Sequence, residues 1–126
     1  MTKAAAIYTF LSGFGLAAYD AFSVPTGEGT PVMPYLTYTF TSGFWESGET
    51  PLQLDLWYLS TDNTAINAKA EQIGNYIGLG GVKLDCDGGQ IWVKRGSPFA
   101  QPMADPNSAD IKRRYINLTV DFLTTN

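Results

Sequence analysis

The sequence predicts an α+β fold, an antiparallel or mixed sheet of about five strands with two helices packed on one face. Three observations lead there. Two segments repeat apolar residues at helical spacing, and several shorter ones alternate apolar and polar residues with period 2. The two kinds interleave as helix, strand, strand, helix, strand, strand, strand, an order that suits helices gathered on one face of a sheet. A chain of 126 residues has room for one domain, residues 1–126, with a modest core. No internal repeat or low-complexity tract divides it.

Thr2 is placed to cap a first helix running to about Ser12, with Ala4, Ala5 and Ala6 as strong helix formers. Ile7, Phe10, Leu11 and Phe14 form its core face, and Gly13 and Gly15 end it. One Lys followed by an apolar run has the outline of a signal peptide. Tyr8, Thr9, Ser12, Gly13 and Gly15 dilute that run, so the expectation is a retained amphipathic helix. Nothing approaches the roughly 20 continuous apolar residues of a membrane span, and the chain reads as cytoplasmic and unanchored. Residues 15–32, with Pro25 and Pro31, read as irregular. Leu16, Tyr19, Phe22 and Val24 would pack their first half on the body, and residues 27–31 would form a mobile surface turn.

Residues 35–41 alternate Leu36, Tyr38 and Phe40 with threonines and predict a strand, with Pro34 at its entry. Residues 52–59 predict a second, with Leu52, Leu54, Leu56 and Tyr58 on one face. Between them, residues 42–51 form a wide loop carrying Phe44 and Trp45. Asp62 or Thr61 caps a second helix to about Ile77, with Ile66, Ala70, Ile73 and Ile77 inward. Gly78, Gly80 and Gly81 stop it. Residues 82–86 and 90–94 flank Asp87-Gly88-Gly89 as a tight hairpin. A 14-residue loop, 96–109, then leads into a strand within residues 111–124. There Ile116, Leu118, Val120 and Phe122 face one way and Asn117, Thr119 and Asp121 the other.

Composition narrows the function classes. The net charge of −4 argues against a sequence-independent grip on nucleic acid, which needs a basic footprint. The single cysteine, Cys86, leaves neither an intramolecular disulfide nor a cysteine-based zinc cage. The chain has no histidine, the usual general base and commonest metal ligand. Asp85, Asp87 and Gly88 superficially match an acidic calcium loop, but Gln90, Ile91 and Trp92 follow where further oxygen ligands are required. They read as a turn. Cys86 alternates with Asp85 in a strand and reads as a small core hydrophobe, since its neighbours are acidic rather than basic. No catalytic, cofactor or metal site is expected.

The candidates are surfaces. A long loop inside a compact domain is uncommon unless it has a function or is disordered. Phe99 and Met103 argue against disorder. With Gln101 they make residues 96–109 a candidate contact loop. Trp45, in a polar glycine-containing loop, either folds back over the sheet or meets a partner, as tryptophans at interface hot spots do. Lys94-Arg95 and Lys112-Arg113-Arg114 bracket the long loop. They read first as solvating strand ends or blunting a sheet edge. Pairing with acidic residues of an adjacent subunit is the functional alternative.

Several stretches together carry a resemblance that covers nearly the whole chain in order. They are FGLAAYDAFSVP, MPYLTYTF, LQLDLWYLS, IGNYIGLGG, the DGG hairpin and GSPFAQPMADPNSADIKRRYINLTVDFLTT. The most specific pieces are the PY-x-TY strand, the SPFAQPMADP loop and the RRYINL strand. The chain resembles the tail terminator (tail completion) proteins of long-tailed bacteriophages and related prophages. The resemblance implies a structural protein, not an enzyme, with an α+β sheet and two helices on one face. It implies a homo-oligomeric ring, usually a hexamer, seated on the tail tube protein, where it stops polymerisation and offers a surface to the head–tail connector. DNA would pass through the lumen without specific binding. Such a protein would be made in the host cytoplasm and carried in the virion at the head-proximal end of the tail. The interface candidates on this reading are Trp45, Phe99, Gln101, Met103, Lys112, Arg113 and Arg114. The alternatives are another head–tail connector or stopper, and a small ligand-binding module with Trp45, Trp57 and Trp92 around a pocket.

Overall fold

Helix α1, Lys3–Ser12, begins where Thr2 accepts a hydrogen bond from the Ala5 N–H at 3.1 Å, which satisfies one of the donors that a helix start leaves open. The computed structural model describes residues 1–105 and 108–126. Six strands follow the helix in part: β1 Ala17–Asp20, β2 Tyr35–Thr39, β3 Glu49–Leu59, β4 Val82–Cys86, β5 Gly89–Ala104 and β6 Ile111–Thr124. Helix α2, Thr64–Ile77, lies between β3 and β4. Asp62 caps it from one residue outside, its Oδ1 accepting the Thr64 N–H at 3.0 Å.

The strands form one mixed sheet in the order β1-β2-β3-β6-β5-β4. Only β1 and β2 run parallel, and the other neighbours are antiparallel. Alternation places Leu52, Leu54, Leu56 and Tyr58 of β3 beneath the helices, beside Ile116, Leu118, Val120 and Phe122 of β6. Ile66, Ala70, Ile73 and Ile77 of α2 and Ile7 and Leu11 of α1 close the same core. Burying each large aliphatic side chain stabilises the fold by roughly 1.5–3 kcal/mol before entropy is counted. The helices meet through Phe10, Phe14 and Tyr76, whose rings lie 5.3–6.1 Å apart. Helix α1 touches both β1 and β4, the two outer strands, so the sheet curls around it.

The β4–β5 hairpin turns on Asp87 and Gly88, with Cys86 opposite Gly89. Gly88 and Gly89 have φ of 87° and 151°, a region that favours glycine. A Cβ on Gly89 would lie 2.0 Å from the Leu123 carbonyl oxygen. Met1 and Asp87 pair across this turn, the Met1 amine donating to Asp87 Oδ1 at 2.6 Å. Lys3 Nζ donates to the carbonyls of Gly43 and Asn126.

Phe22, expected to pack on the body, is instead 86% exposed, and two expectations about the strands need correction. The segment 15–32 holds a strand, β1, so the sheet has six strands rather than about five. Its four residues, Ala17-Ala18-Tyr19-Asp20, bury only Ala18 fully, which leaves no period-2 pattern to read. A short 3₁₀ turn, Gly27–Gly29, lies within residues 27–31. The second correction concerns the loop at 96–109. Strand β5 continues to Ala104, paired with β6 from Ala100↔Ile116 to Ala104↔Lys112. Pro98 and Pro102 fit because β4 ends opposite Val93, leaving the outer flank of β5 without a partner strand that needs donors. Between Arg95↔Leu118 and Ala100↔Ile116 the register shifts, and β5 bulges by three residues. The connection to β6 is therefore short. Pro106 and Asn107 of the expected loop lie outside the described residues.

Candidate functional site

The helices cover one face of the sheet, and the other face is open. Its outward residues form rows across the strands. One row runs Tyr35, Trp57, Arg113, Met103 through β2, β3, β6 and β5. Tyr19 of β1 extends it, edge-to-face with Tyr35 at 5.9 Å. Tyr35 stacks on Trp57 at 6.1 Å, and the Arg113 guanidinium lies 4.8 Å from the Trp57 ring centroid. Trp57 Nε1 donates to Thr37 Oγ1 at 3.0 Å, and Arg113 Nε donates to Asp55 Oδ1 at the same distance. Burial holds the Tyr35 phenol above its ordinary pKa, with the Asp105 charge adding to the effect.

At the far end of this face, Lys94 bridges Glu49 at 2.6 Å and Asp121 at 2.8 Å and stands 4.6 Å from the Trp92 ring centroid. Its hydrogen bonds to Asp121 and Glu49 raise the ammonium pKa above the usual value. Trp92 Nε1 donates to Gly80 O at 2.8 Å. Trp57 and Trp92 stand opposite Arg113 and Asp121 of β6, about 27 Å apart at 3.4 Å per residue. Trp45 lies elsewhere, in a 3₁₀ turn, Trp45–Ser47, beside the end of β6. A single pocket lined by the three tryptophans is therefore not what the fold builds.

The predicted interface residues separate into two groups. Trp45 is 68% exposed and Met103 42%, and Gln101 is exposed. Phe99 instead turns into the body, where its ring edge lies 3.0 Å from the position a Cβ on Gly74 of α2 would take. It is a packing residue of the β5 bulge. The basic clusters are partly consumed within the chain. Lys94 and Arg113 have the carboxylate partners just described, and Lys112 Nζ donates to Ala109 O at 2.7 Å. Arg95 is exposed, and neither it nor Arg114 takes part in the ion pairs formed among the described residues.

Charge is unevenly spread over the sheet. Between Ala4 and Ala68 the chain carries Asp20, Glu28, Glu46, Glu49, Asp55 and Asp62 but no Lys or Arg. That stretch builds β1, β2 and β3, one half of the sheet. Arg95, Lys112, Arg113 and Arg114 belong to β5 and β6 in the other half. The basic clusters are legible in the sequence as runs of Lys and Arg; the acidic half is signalled only by the absence of any Lys or Arg over that long run.

Asp85 and Cys86 of the acidic turn have structural surroundings. Asp85 Oδ1 accepts from Gln90 Nε2 at 2.9 Å. Cys86 is half-buried against the core; burial raises its thiol pKa above the ordinary value, Lys3 opposes that shift, and Asp87 and Asp85 reinforce it. Among the described residues no group of three or more His, Cys, Asp or Glu is placed to hold a metal. Also among them, no helix is long and apolar enough to cross a membrane. A cleft of about 480 Å³ opens between α1, α2 and β4, with Phe10, Phe14, Tyr76 and Leu84 in its walls. Comparison with protein-family models, with curated proteins and with solved structures finds no match to this chain.

Proposed function

We propose that this chain is a structural, ring-forming subunit of the tail terminator kind. It caps the tail tube of a long-tailed bacteriophage or prophage, stops tube polymerisation and offers the surface to which the head connector joins. Its partners are copies of itself, six in the ring that the resemblance implies, together with the tail tube protein and the connector. DNA passes through the lumen without a specific grip, and the protein resides at the head-proximal end of the tail.

The observation that carries this reading is the division of charge across one small sheet. A closed ring is built from a heterologous contact, so each subunit needs two different and mutually complementary surfaces. An acidic β1-β2-β3 half and a basic flank on β5 and β6 supply such a pair. The exposed Trp45 and Met103 add apolar side chains that a neighbouring copy can cover. The test is tail assembly in the absence of this protein. Overlong tails without heads are the expected outcome. Tails of normal length that fail only at head joining would replace this reading with that of a connector.

A further inference from the structure

We propose that the groove between α2 and the β5 bulge receives a carboxylate from a second copy of this chain, supplied by Glu46 beside Trp45. The inference rests on the ring reading and specifies its contact. The groove has a volume of about 340 Å³; Gly74, Phe99 and Ala100 line its apolar part, and Arg95, Arg114 and Glu71 its polar part. Arg114 Nε is buried and has no hydrogen-bond partner among the described residues. A buried donor on a cation is costly to leave unmade, and a carboxylate is the partner that a guanidinium fork fits best. Among the described residues no carboxylate hydrogen-bonds to Arg114 Nε. Glu71 lines the same groove yet forms an ion pair with neither arginine, and two guanidiniums against one carboxylate leave the groove cationic.

The acidic half of a neighbouring copy can supply what is missing. Within it, Asp55 and Glu49 are already paired with Arg113 and Lys94. Asp20 and Asp62 accept the backbone N–H groups of Phe22 and Thr64. Glu28 and Glu46 remain. Glu46 alone adjoins a large exposed aromatic, Trp45, on the same 3₁₀ turn. An indole next to a carboxylate matches a groove that sets Phe99 and Ala100 next to two guanidiniums, and the indole face also suits an arginine. This turn abuts the end of β6, where Gly43 approaches the Phe122 ring, whereas the groove lies at the middle of β5 and β6. Knob and groove are thus different regions of one subunit. Each copy would offer its knob to one neighbour and its groove to the other, the head-to-tail pattern that closes rings.

The test uses the full chain, with mass measured by light scattering and sedimentation across a concentration series. Arg95 is exposed, so Arg95→Glu leaves the fold and its melting temperature intact. The wild type is expected to form a cyclic oligomer, and Arg95→Glu and Glu46→Lys are each expected to weaken it about tenfold or more. The double variant R95E/E46K, in which every groove meets a neighbour's reversed knob, is expected to recover assembly. An Arg95→Glu chain that assembles like the wild type overturns the groove while leaving the ring reading in place. So does a folded double variant without recovery, or recovery by R95E/E28K instead. A wild type that stays monomeric at every concentration overturns the groove and counts against the ring as well.

Discussion

Truncating Phe99 and Met103 in turn distinguishes a packing residue from an exposed one within one strand. A fully buried Phe→Ala change costs about 3–5 kcal/mol. Phe99 is half-buried against α2, so Phe99→Ala should cost about 2 kcal/mol on the same basis. With an unfolding entropy of about 2.1 cal/mol/K per residue, a chain of this length loses about 8 °C in Tm for that change. Met103 is 42% exposed, and Met103→Ala should stay within about 0.5 kcal/mol, or about 2 °C. Gly74 sharpens the comparison. It lies inside α2, where Gly→Ala ordinarily gains about 1 kcal/mol. The added methyl would meet Phe99 Cε2 at 3.0 Å, so the crowded ring cancels that gain in the wild type. In the Phe99→Ala background the methyl enters vacated space, and Gly74→Ala should raise Tm by about 4 °C. Thermal unfolding of the four chains in a double-mutant cycle measures a coupling of about 1 kcal/mol or more. Equal effects of Gly74→Ala in both backgrounds would refute the reasoning, as would a Phe99→Ala loss no greater than that of Met103→Ala.

Gly89→Ala should cost about 3 kcal/mol or more, from a disfavoured positive φ and a methyl driven into the Leu123 carbonyl; a urea midpoint within experimental error of the wild type would contradict the hairpin geometry. Burial holds the phenols of Tyr38 and Tyr58 above the ordinary tyrosine value of about 10. The folded state therefore keeps its phenolic protons to higher pH than the unfolded state does, and their contribution is constant below about pH 10 and is lost above it. Urea titrations from pH 8 to 11 should show that fall, and Tyr58→Phe should flatten it; an unchanged slope would remove Tyr58 from the account.

Much of the fold was legible because burial and period coincide. Ile66, Ala70, Ile73 and Ile77 of α2 and the alternating residues of β3 and β6 each announce one buried face, and all of them line the core. The turn after Asp87 was legible because Gly88 and Gly89 hold positive φ values that few other residues tolerate. Strand β1 was not. Among the described residues its only strand partner is β2, in parallel, with Ala17 opposite Tyr35, so its existence depends on residues far along the chain. The end of β5 was hidden for a different reason. Prolines signal a break from local propensity alone, and only the sheet order shows that the flank carrying Pro98 and Pro102 has no ladder to break. The groove of Arg95 and Arg114 is non-local as well. It forms where a three-residue bulge meets a helix from an earlier part of the sequence, and no spacing within either segment encodes it.

The sheet order has a consequence for how the chain folds as it is made. Strand β6 follows every other strand in sequence, yet it lies between β3 and β5 and pairs with both along most of its length. Until residues 111–124 leave the ribosome, the nascent chain can form only two separate half-sheets, β1-β2-β3 and β4-β5. Each half-sheet then shows the edge that β6 will later occupy. Pairings of such high sequence separation are slow to form, and unpaired edges are open to association between chains in the interval. Completion is a single late insertion that joins the halves and seats the core residues of β6 beneath both helices together. A ribosome stalled before residue 111 would therefore hold a chain without its native sheet.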